Sequence, residues 1–196
     1  MQYRSTRGHP KLLSFREAVL QGLAPDGGLY IPTRLPTFSI QEINSWRSLS
    51  FSELAFTLYR PFIGVQEIND EELKDLCRKS FSTFSHHLVV PTKKLPTLRP
   101  DAENKDFRNL WVLELFHGPT FAFKDVALQF LGNLFEFFLK KDKSSRGITV
   151  IGATSGDTGG AAIYGLRGKD KINVFILHPY KRVSPIQEAQ MTSVLD

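Results

Sequence analysis

The sequence contains little cysteine and no long apolar segment. Its single cysteine, Cys77, excludes an intramolecular disulfide and a metal site made of cysteines alone, so we expect a reducing compartment. No apolar core follows the polar and basic residues 1–8, so we expect no secretory signal. The most apolar stretch, residues 126–139, is interrupted by polar side chains and is shorter than the ~20 residues that a membrane span requires. These absences favour a cytoplasmic globular protein without a membrane partner.

The charge balance gives little support to a nucleic-acid function. The 196 residues include 25 Lys and Arg against 20 Asp and Glu, for a formal net charge of +5. Two clusters hold many of the basic residues: Lys140, Lys141, Lys143 and Arg146, then Lys169, Lys171, Lys181 and Arg182. Solvated surface is the first interpretation of both clusters, and attraction of a phosphorylated or carboxylated metabolite is the second. Acidic residues are interspersed and no aromatic–basic module occurs, so we expect no nucleic-acid partner.

Signals for short helices dominate the first half, where eight of the 11 prolines lie within 100 residues. Three Ser–Glu pairs have the spacing of the capping box, in which side chains satisfy exposed amides at a helix start: Ser14 with Glu17, Ser39 with Glu42, and Ser50 with Glu53. Gly22 is placed to end the first helix, and residues 25–28 to form a turn. A longer helix is predicted over residues 69–84, with Cys77 as a small core residue on its apolar stripe.

Strands and helices alternate in the second half. The predicted strands cover residues 111–115, 148–151 and 172–177, and the predicted helices cover 123–138, 159–166 and a segment that opens at Ser184. This alternation is typical of a parallel sheet covered by helices, which makes the fold class α/β. Both faces of a parallel sheet need a cover, so we expect the sequence to be the N-terminal portion of something longer. We place a mainly helical domain at residues 1–95 and the start of an α/β domain at 96–196.

The first candidate site is the glycine-rich loop of residues 152–160, which follows a predicted strand and opens a helix. Backbone amides and the helix dipole bind anions at such a position. The loop lacks the Gly-Lys-Ser/Thr of a phosphate loop, and its glycine spacing is not that of a dinucleotide fingerprint. A tight turn capped by Asp157 is the structural alternative to an anion site, and the position of the loop leaves both open.

The second candidate is Lys124, directly before the predicted Phe-rich helix. Seven of the 16 phenylalanines lie between Phe116 and Phe138, so we expect apolar side chains near the amine. Desolvation disfavours an ammonium ion, as a lysine that forms a Schiff base requires. A surface lysine is the alternative, and it is the commoner role for a lysine taken at random.

The histidines give weaker signals. His117, beside Gly118 and Pro119, is either an acid or base or a residue that orients the turn. His86 and His87 have no partner at metal-ligand spacing, so we interpret them as exposed or partly packed side chains. A Ser-His-Asp arrangement is not indicated.

Four motifs in order resemble those of the threonine synthases of the fungal and enterobacterial type. Residues 113–127 resemble the pyridoxal-phosphate lysine segment of that family, and residues 152–159 resemble its second signature. Residues 3–8 are similar to the opening of its N terminus, and residues 22–32 to its early turn. The resemblance covers essentially the whole chain.

The resemblance implies the three-layer parallel-sheet fold of type II pyridoxal-phosphate enzymes. It also implies a carbon–oxygen lyase reaction, from O-phosphohomoserine and water to threonine and phosphate, in a cytoplasmic monomer. Lys124 would hold the cofactor and move protons at the α and β carbons of the substrate. Phe123 would pack beside the cofactor or in the core. Asp157 would face the cofactor, although an ionised Asp cannot donate the hydrogen bond that Asn donates in many relatives of the fold.

The implied substrate-binding residues lie in the glycine-rich loop: Thr154, Ser155, Gly156 and Thr158. The phosphate loop for the cofactor and the hydroxyl that faces its pyridine nitrogen lie beyond Asp196 in the family. We therefore expect residues 1–196 alone to bind pyridoxal phosphate poorly and to lack activity. Two other functions stay open, a phospho-lyase that releases a 2-oxo acid and a non-catalytic binding protein that keeps the fold. A nucleotide-binding domain is weakened by the glycine spacing.

Overall fold

The computed structural model describes residues 1–96, 109–142 and 146–195. Its strands are β1 (Tyr3–Ser5), β2 (Tyr30–Pro32), β3 (Thr92–Lys94), β4 (Trp111–Leu113), β5 (Ile148–Ala153) and β6 (Ile172–Leu177). Its α-helices are α1 (Phe15–Gln21), α2 (Ile40–Ser45), α3 (Phe51–Tyr59), α4 (Asp70–Phe81), α5 (Asp125–Lys141), α6 (Asp157–Leu166) and α7 (Pro185–Thr192), and short 3-10 helices cover Trp46–Ser48 and Arg60–Phe62. None of the described helices is long and apolar enough to cross a bilayer.

The chain divides into two compact units. The first contains Met1–Phe81 and Asn133–Arg146, and the second contains Ser82–Gly132 and Gly147–Asp196. Helix α5 contributes its second half to the first unit and its first half to the second.

The three predicted capping boxes all form in the first unit. In each, the serine side chain accepts from the backbone amide three residues later, and the glutamate side chain accepts from the serine amide. At α1 these bonds are 3.3 Å and 2.8 Å long. Gly22 ends α1 with φ of 74°, a conformation that costs glycine little because it has no Cβ. The sequence signals for these helix starts are therefore confirmed.

The two N-terminal motifs form one structural unit around Asp26. Strand β1 pairs antiparallel with β2, and between them the Asp26 carboxylate accepts from the Ser5 hydroxyl at 2.8 Å. The amides of His9 and Gly28 also donate to it, at 2.8 Å and 3.0 Å. Burial opposes ionisation of Asp26, but these hydrogen bonds outweigh it and lower the pKa of the carboxyl. The early turn thus holds the N-terminal strand in place.

Helix α4 buries the stripe that its sequence predicts, Leu73, Leu76, Cys77 and Ser80, and it also buries Phe81. It ends at Phe81, three residues before the predicted end. Burial of Cys77 raises the pKa of its thiol to about 12. The Asn133 amide of α5 donates to the Ser80 hydroxyl at 3.0 Å. The predicted core role of Cys77 is confirmed.

The basic cluster at the end of α5 lies on the surface, which agrees with its interpretation as solvated surface. Lys140 pairs with Glu136 at 2.9 Å and Lys141 pairs with Glu72 at 2.9 Å. Lys143, named with that cluster, lies outside the described residues.

Parallel pairing in the second unit joins β5 and β6, from Ile148 opposite Ile172 to Ala153 opposite Leu177. Helix α6 connects them, which confirms the predicted strand–helix–strand unit. The prediction that residues 111–115 join the parallel sheet is wrong, because β4 pairs antiparallel with β3. All three residues of β4 are exposed, whereas a parallel strand is covered on both faces. Within the described residues the three-layer sheet is therefore not formed.

A pair of glycines lets α5 and α6 come into backbone contact. A Cβ on Gly132 would lie 1.8 Å from the carbonyl oxygen of Gly165, and a Cβ on Gly165 would lie 2.5 Å from that of Leu128. Real Cβ atoms do not approach backbone atoms so closely, so each position requires glycine. This contact fixes the first half of α5 against α6. Helix α5 begins directly after Lys124, and α6 begins at Asp157.

Candidate active site

Lys124 lies at the end of a tight turn, directly before α5. Its carbonyl accepts from the amides of Ala127 and Leu128 at 3.1 Å and 2.9 Å, so the backbone of Lys124 starts the helical hydrogen bonding. Before it, the amide of Phe121 donates to the carbonyl of Gly118 at 3.1 Å, and Phe121 has φ of 60°. The turn therefore delivers the lysine at the first turn of a helix.

The Lys124 amine forms an ion pair with Asp157, the first residue of α6. Lys124 Nζ lies 2.6 Å from Asp157 Oδ1, and the two side chains are 28% and 38% exposed. The amine also lies 4.4 Å from the centroid of the Phe123 ring. The structure does not show the apolar surroundings expected for the Lys124 amine. Phe123 is 57% exposed, and the hydrogen-bond partner of the amine is a carboxylate. Lys124, Phe123 and Asp157 are thus brought together, in a partly solvated site.

The glycine-rich loop follows β5 and leads into α6. The Thr154 amide donates to the Leu177 carbonyl at 2.9 Å, which continues the β5–β6 ladder into the loop. The Gly156 amide donates to the Thr154 hydroxyl at 3.2 Å. Ser155 and Thr158 are exposed. The four residues expected to bind substrate therefore lie at the N-terminal end of α6, and the side chains of two of them face solvent.

Asp157 is not the helix cap that the structural alternative requires. Gly156 occupies the capping position of α6 and offers no side-chain hydrogen bond, while the Asp157 carboxylate is used by Lys124. There is no room for a side chain at Gly159, because a Cβ added there would lie 2.3 Å from Met191 Sδ. The glycines of this loop thus allow close packing of α6, and its acidic residue faces the lysine.

His117 belongs to a separate polar cluster. Its Nε2 lies 2.7 Å from Glu114 Oε2, and Lys93 Nζ lies 2.9 Å from the other Glu114 oxygen. These hydrogen bonds, first from Lys93 and then from His117, lower the pKa of Glu114. The His86 ring lies 4.9 Å from that of His117 and 4.7 Å from that of His87. Across the described part of the chain, no group of His, Cys, Asp and Glu is arranged to hold a metal ion.

Three side chains that hold the lysine turn are not indicated by the sequence: Thr120, Asp125 and Gln190. Thr120 donates to Asp125 through both its amide, at 2.9 Å, and its hydroxyl, at 2.8 Å. Gln190 of α7 donates to the carbonyl of Thr120 at 3.2 Å. Thr120 and Asp125 stand within the lysine motif, but nothing in their spacing separates them from their neighbours. Gln190 follows 70 residues after Thr120, and no local pattern indicates that contact.

Comparison with known proteins shows which family this chain resembles. A family model described as threonine synthase N terminus matches residues 2–81. The chain is 54% identical to threonine synthase of Saccharomyces cerevisiae, over 99% of this chain and 38% of the relative. It is 47% identical to the Pseudomonas aeruginosa protein of the same name, over 100% of this chain and 39% of that one. Over its whole length, this chain is similar to the N-terminal portion of threonine synthases.

Solved structures agree with the sequence relationship. The yeast threonine synthase structure has a TM-score of 0.89 at 54% identity. The match covers 100% of this chain and 38% of the yeast chain. The structure of pyridoxal-phosphate-bound threonine synthase from Brucella melitensis has a TM-score of 0.83 at 44% identity, over 98% of this chain and 38% of the Brucella chain. The resemblance to threonine synthases is confirmed over the whole sequence, which spans about 38% of the length of these relatives.

Proposed function

We propose that this chain carries the reactive lysine of a pyridoxal-phosphate-dependent threonine synthase, a carbon–oxygen lyase. The reaction converts O-phosphohomoserine and water into threonine and phosphate. The observation that carries the proposal is the pairing of the Lys124 amine, at the start of α5, with the Asp157 carboxylate, at the start of α6. The four motifs, the 54% identity to the yeast enzyme and the pyridoxal phosphate bound in the Brucella structure support it.

The residues around Lys124 fit pyridoxal phosphate. The Lys124 side chain is 28% exposed, so it is not sealed from solvent, and the exposed Phe123 ring beside its amine offers an apolar surface to an aromatic cofactor. When bound, the cofactor supplies an electron sink for negative charge that develops on the substrate. Lys124 would hold the cofactor, Phe123 would pack against it, and Asp157 would lie close to its attachment point.

Lys124 is also the group that moves protons in the proposed reaction. A free amine acts as a base and its ammonium form as an acid, and proton transfer by a positioned side chain is typically worth about 10²- to 10⁴-fold in rate. The turn before α5 fixes the backbone of Lys124, while its four-carbon side chain keeps the reach that two neighbouring substrate carbons require. Without the cofactor, the Lys124 amine lies 2.6 Å from Asp157 Oδ1, so Asp157 is the group that receives the amine when it is free.

The N-terminal end of α6 is suited to a substrate carboxylate. Unsatisfied amides and the helix dipole favour an anion at that end. The Gly156 amide is already used by Thr154, so the exposed hydroxyls of Ser155 and Thr158 are the groups most accessible to a ligand. Pairing of Asp157 with Lys124 offsets the carboxylate charge that would otherwise repel the substrate.

The organisation of the whole enzyme is part of the proposal. We place a mainly helical domain at residues 1–95 and an α/β domain from residue 96, because the parallel β5–α6–β6 unit lies in the second segment. Strands supplied by the rest of a threonine synthase would extend β5 and β6 into the three-layer sheet of fold type II. The enzyme would be a cytoplasmic monomer.

Isotope-labelled water tests the proposed reaction. We expect the natural gene product that contains this sequence, incubated with pyridoxal phosphate and O-phosphohomoserine in H₂¹⁸O, to release threonine and phosphate. The C–O bond to the phosphate oxygen breaks and water adds at the β carbon, so ¹⁸O enters the threonine hydroxyl and not the phosphate. A 2-oxo acid as the main product would indicate a phospho-lyase, and absence of any product would contradict enzyme function.

A further inference from the structure

Thr120 is held on two sides, although it contributes no group to the candidate site. Its amide and hydroxyl both donate to the Asp125 carboxylate, at 2.9 Å and 2.8 Å. The backbone carbonyl of Thr120 accepts from the side-chain amide of Gln190 at 3.2 Å. Thr120 is 5% exposed and Asp125 is 0% exposed, so water does not compete for the bonds between them. All the hydrogen-bonding groups of this residue are therefore used to fix one turn.

The bonds between Thr120 and Asp125 close the turn that ends in Lys124. They join the two ends of residues 120–125, a segment that contains Lys124 and includes Phe121 at φ of 60°. Gly118 makes room for the carboxylate, because a Cβ there would lie 2.4 Å from both Cβ and Oδ2 of Asp125. Asp125 directly follows Lys124, so the position of its backbone determines where the lysine side chain begins.

Gln190 links this turn to the helix that carries Asp157. Besides donating to Thr120, the Gln190 side chain packs over Gly160 of α6, where a Cβ would lie 3.5 Å from Gln190 Cβ. Gln190 stands on α7, which begins at Pro185 and is capped by the Ser184 side chain. A side chain on a third element thus contacts both the lysine turn and the partner helix.

We propose that Asp125, Thr120 and Gln190 form a positioning relay that holds the Lys124 amine against Asp157. The inference deepens the proposed function, since it says what orients the amine that the cofactor needs. Asp125, Thr120 and Gln190 are positioning residues, because they act on Lys124 through the backbone of its turn. Loosening any of them lets the amine leave Asp157 while the rest of the second unit stays folded.

Trace acetylation of amines measures this directly and requires no cofactor. The natural gene product that contains this sequence is first freed of any bound pyridoxal phosphate and is then treated with a trace of acetic anhydride well below its melting temperature. Acetylation of Lys124 is then expressed relative to that of the exposed Lys181 in the same digest. Contact with Asp157 shields the amine, so Asp157→Asn gives the reference value for a released Lys124. A surface ion pair of this kind corresponds to a roughly two- to fivefold change in that ratio.

Two relay variants and two controls make the test specific. Thr120→Val and Gln190→Met should raise the Lys124 ratio roughly two- to fivefold, as Asp157→Asn does. Thr120→Ser keeps the hydroxyl and should restore the wild-type ratio. Thr192→Val removes a hydroxyl of α7 that bonds within its own helix, to the Glu188 carbonyl at 2.9 Å, and should leave the ratio unchanged.

The relay is overturned if Thr120→Val and Gln190→Met lower the melting temperature but keep the wild-type ratio while Asp157→Asn raises it. Such a result would show that Thr120 and Gln190 stabilise the fold without positioning the Lys124 amine. Gln190 is only partly buried, so Gln190→Met keeps the test valid even where Thr120→Val does not fold. Because acetylation needs no pyridoxal phosphate, this outcome is independent of whether the cofactor labels Lys124, which is the test of the proposed function.

Discussion

Lys124 Nζ donates to Asp157 Oδ1 across 2.6 Å, and the two residues stand 33 positions apart at the starts of α5 and α6. Close packing of Gly132 on Gly165 brings these helices together in the second unit. Two motifs that are separate in the sequence therefore form one site. The Lys124 amine is paired with an anion, and the side chain is partly exposed instead of being buried among apolar side chains.

Replacing Asp125, the first residue of α5, by asparagine should destabilise the protein far more than the same change at Asp157, the first residue of α6. Asp157→Asn removes a charge from a pair that is 28% and 38% exposed, so we expect the free energy of unfolding to fall by less than about 1 kcal/mol. Asp125→Asn replaces a buried acceptor of two hydrogen bonds with a group that has one acceptor oxygen, and should cost about 2–3 kcal/mol. Urea unfolding followed by circular dichroism measures both, and equal losses would contradict the difference in burial.

Substitution of Lys124 should abolish the proposed reaction. Lys124→Ala removes the group that holds the cofactor and moves protons, so we expect threonine formation to fall by about 10³-fold or more. Lys124→Arg keeps the positive charge near Asp157 but provides no amine, and should be as inactive. Lys181→Ala, at an exposed lysine of the same unit, should keep wild-type activity. Full activity of Lys124→Ala would assign the chemistry to another residue.

Two glycines of α6 should respond to alanine in opposite ways. A Cβ on Gly165 would lie 2.5 Å from the Leu128 carbonyl oxygen, so Gly165→Ala forces α5 and α6 apart and should cost about 1–3 kcal/mol. A Cβ on Gly160 would meet its nearest neighbour at 3.5 Å, an ordinary contact, so Gly160→Ala should be neutral or stabilise the helix by up to about 1 kcal/mol. Thermal and urea unfolding of the matched pair check this, and tolerance of Gly165→Ala would refute the close helix contact.

The only thiol should be unreactive until the first unit unfolds. Burial raises the pKa of Cys77 to about 12 from 9.0, so the folded state disfavours the thiolate. The resulting stabilisation is complete below pH 9.0 and is lost as the pH rises from there towards about 12. At pH 8 we expect a disulfide reagent such as dithionitrobenzoate to modify Cys77 only along the urea unfolding transition. Rapid reaction of the native protein would contradict the burial.

Local signals in the sequence predict much of the fold correctly. The capping pairs at Ser14, Ser39 and Ser50 place three helices, because each cap is a contact within four residues of the chain. The β5–α6–β6 unit is likewise predicted, since alternation of elements and their apolar runs is visible along the chain. Strand β4 is predicted as a strand but with the wrong partner. Its pairing with β3 depends on residues 92–94, some 20 positions earlier, and the local pattern carries no information about them.

The candidate site is predicted less completely than the fold. Lys124 and the glycine-rich loop were identified from motifs, and the structure brings Lys124 to Asp157. The surroundings of the amine differ from the prediction because a high local content of phenylalanine does not show which way the rings face. Gln190 was missed, because its contact with Thr120 depends on how α7 packs and leaves no periodic trace.

Reductive labelling of Lys124 tests the central claim most directly. The natural gene product that contains this sequence is mixed with pyridoxal phosphate, reduced with borohydride and digested for peptide mapping by mass spectrometry. We expect the reduced cofactor on Lys124 at close to one per chain, and weak labelling of the same lysine when residues 1–196 are produced alone. Labelling at other lysines with Lys124 unmodified would contradict the assignment of the reactive lysine.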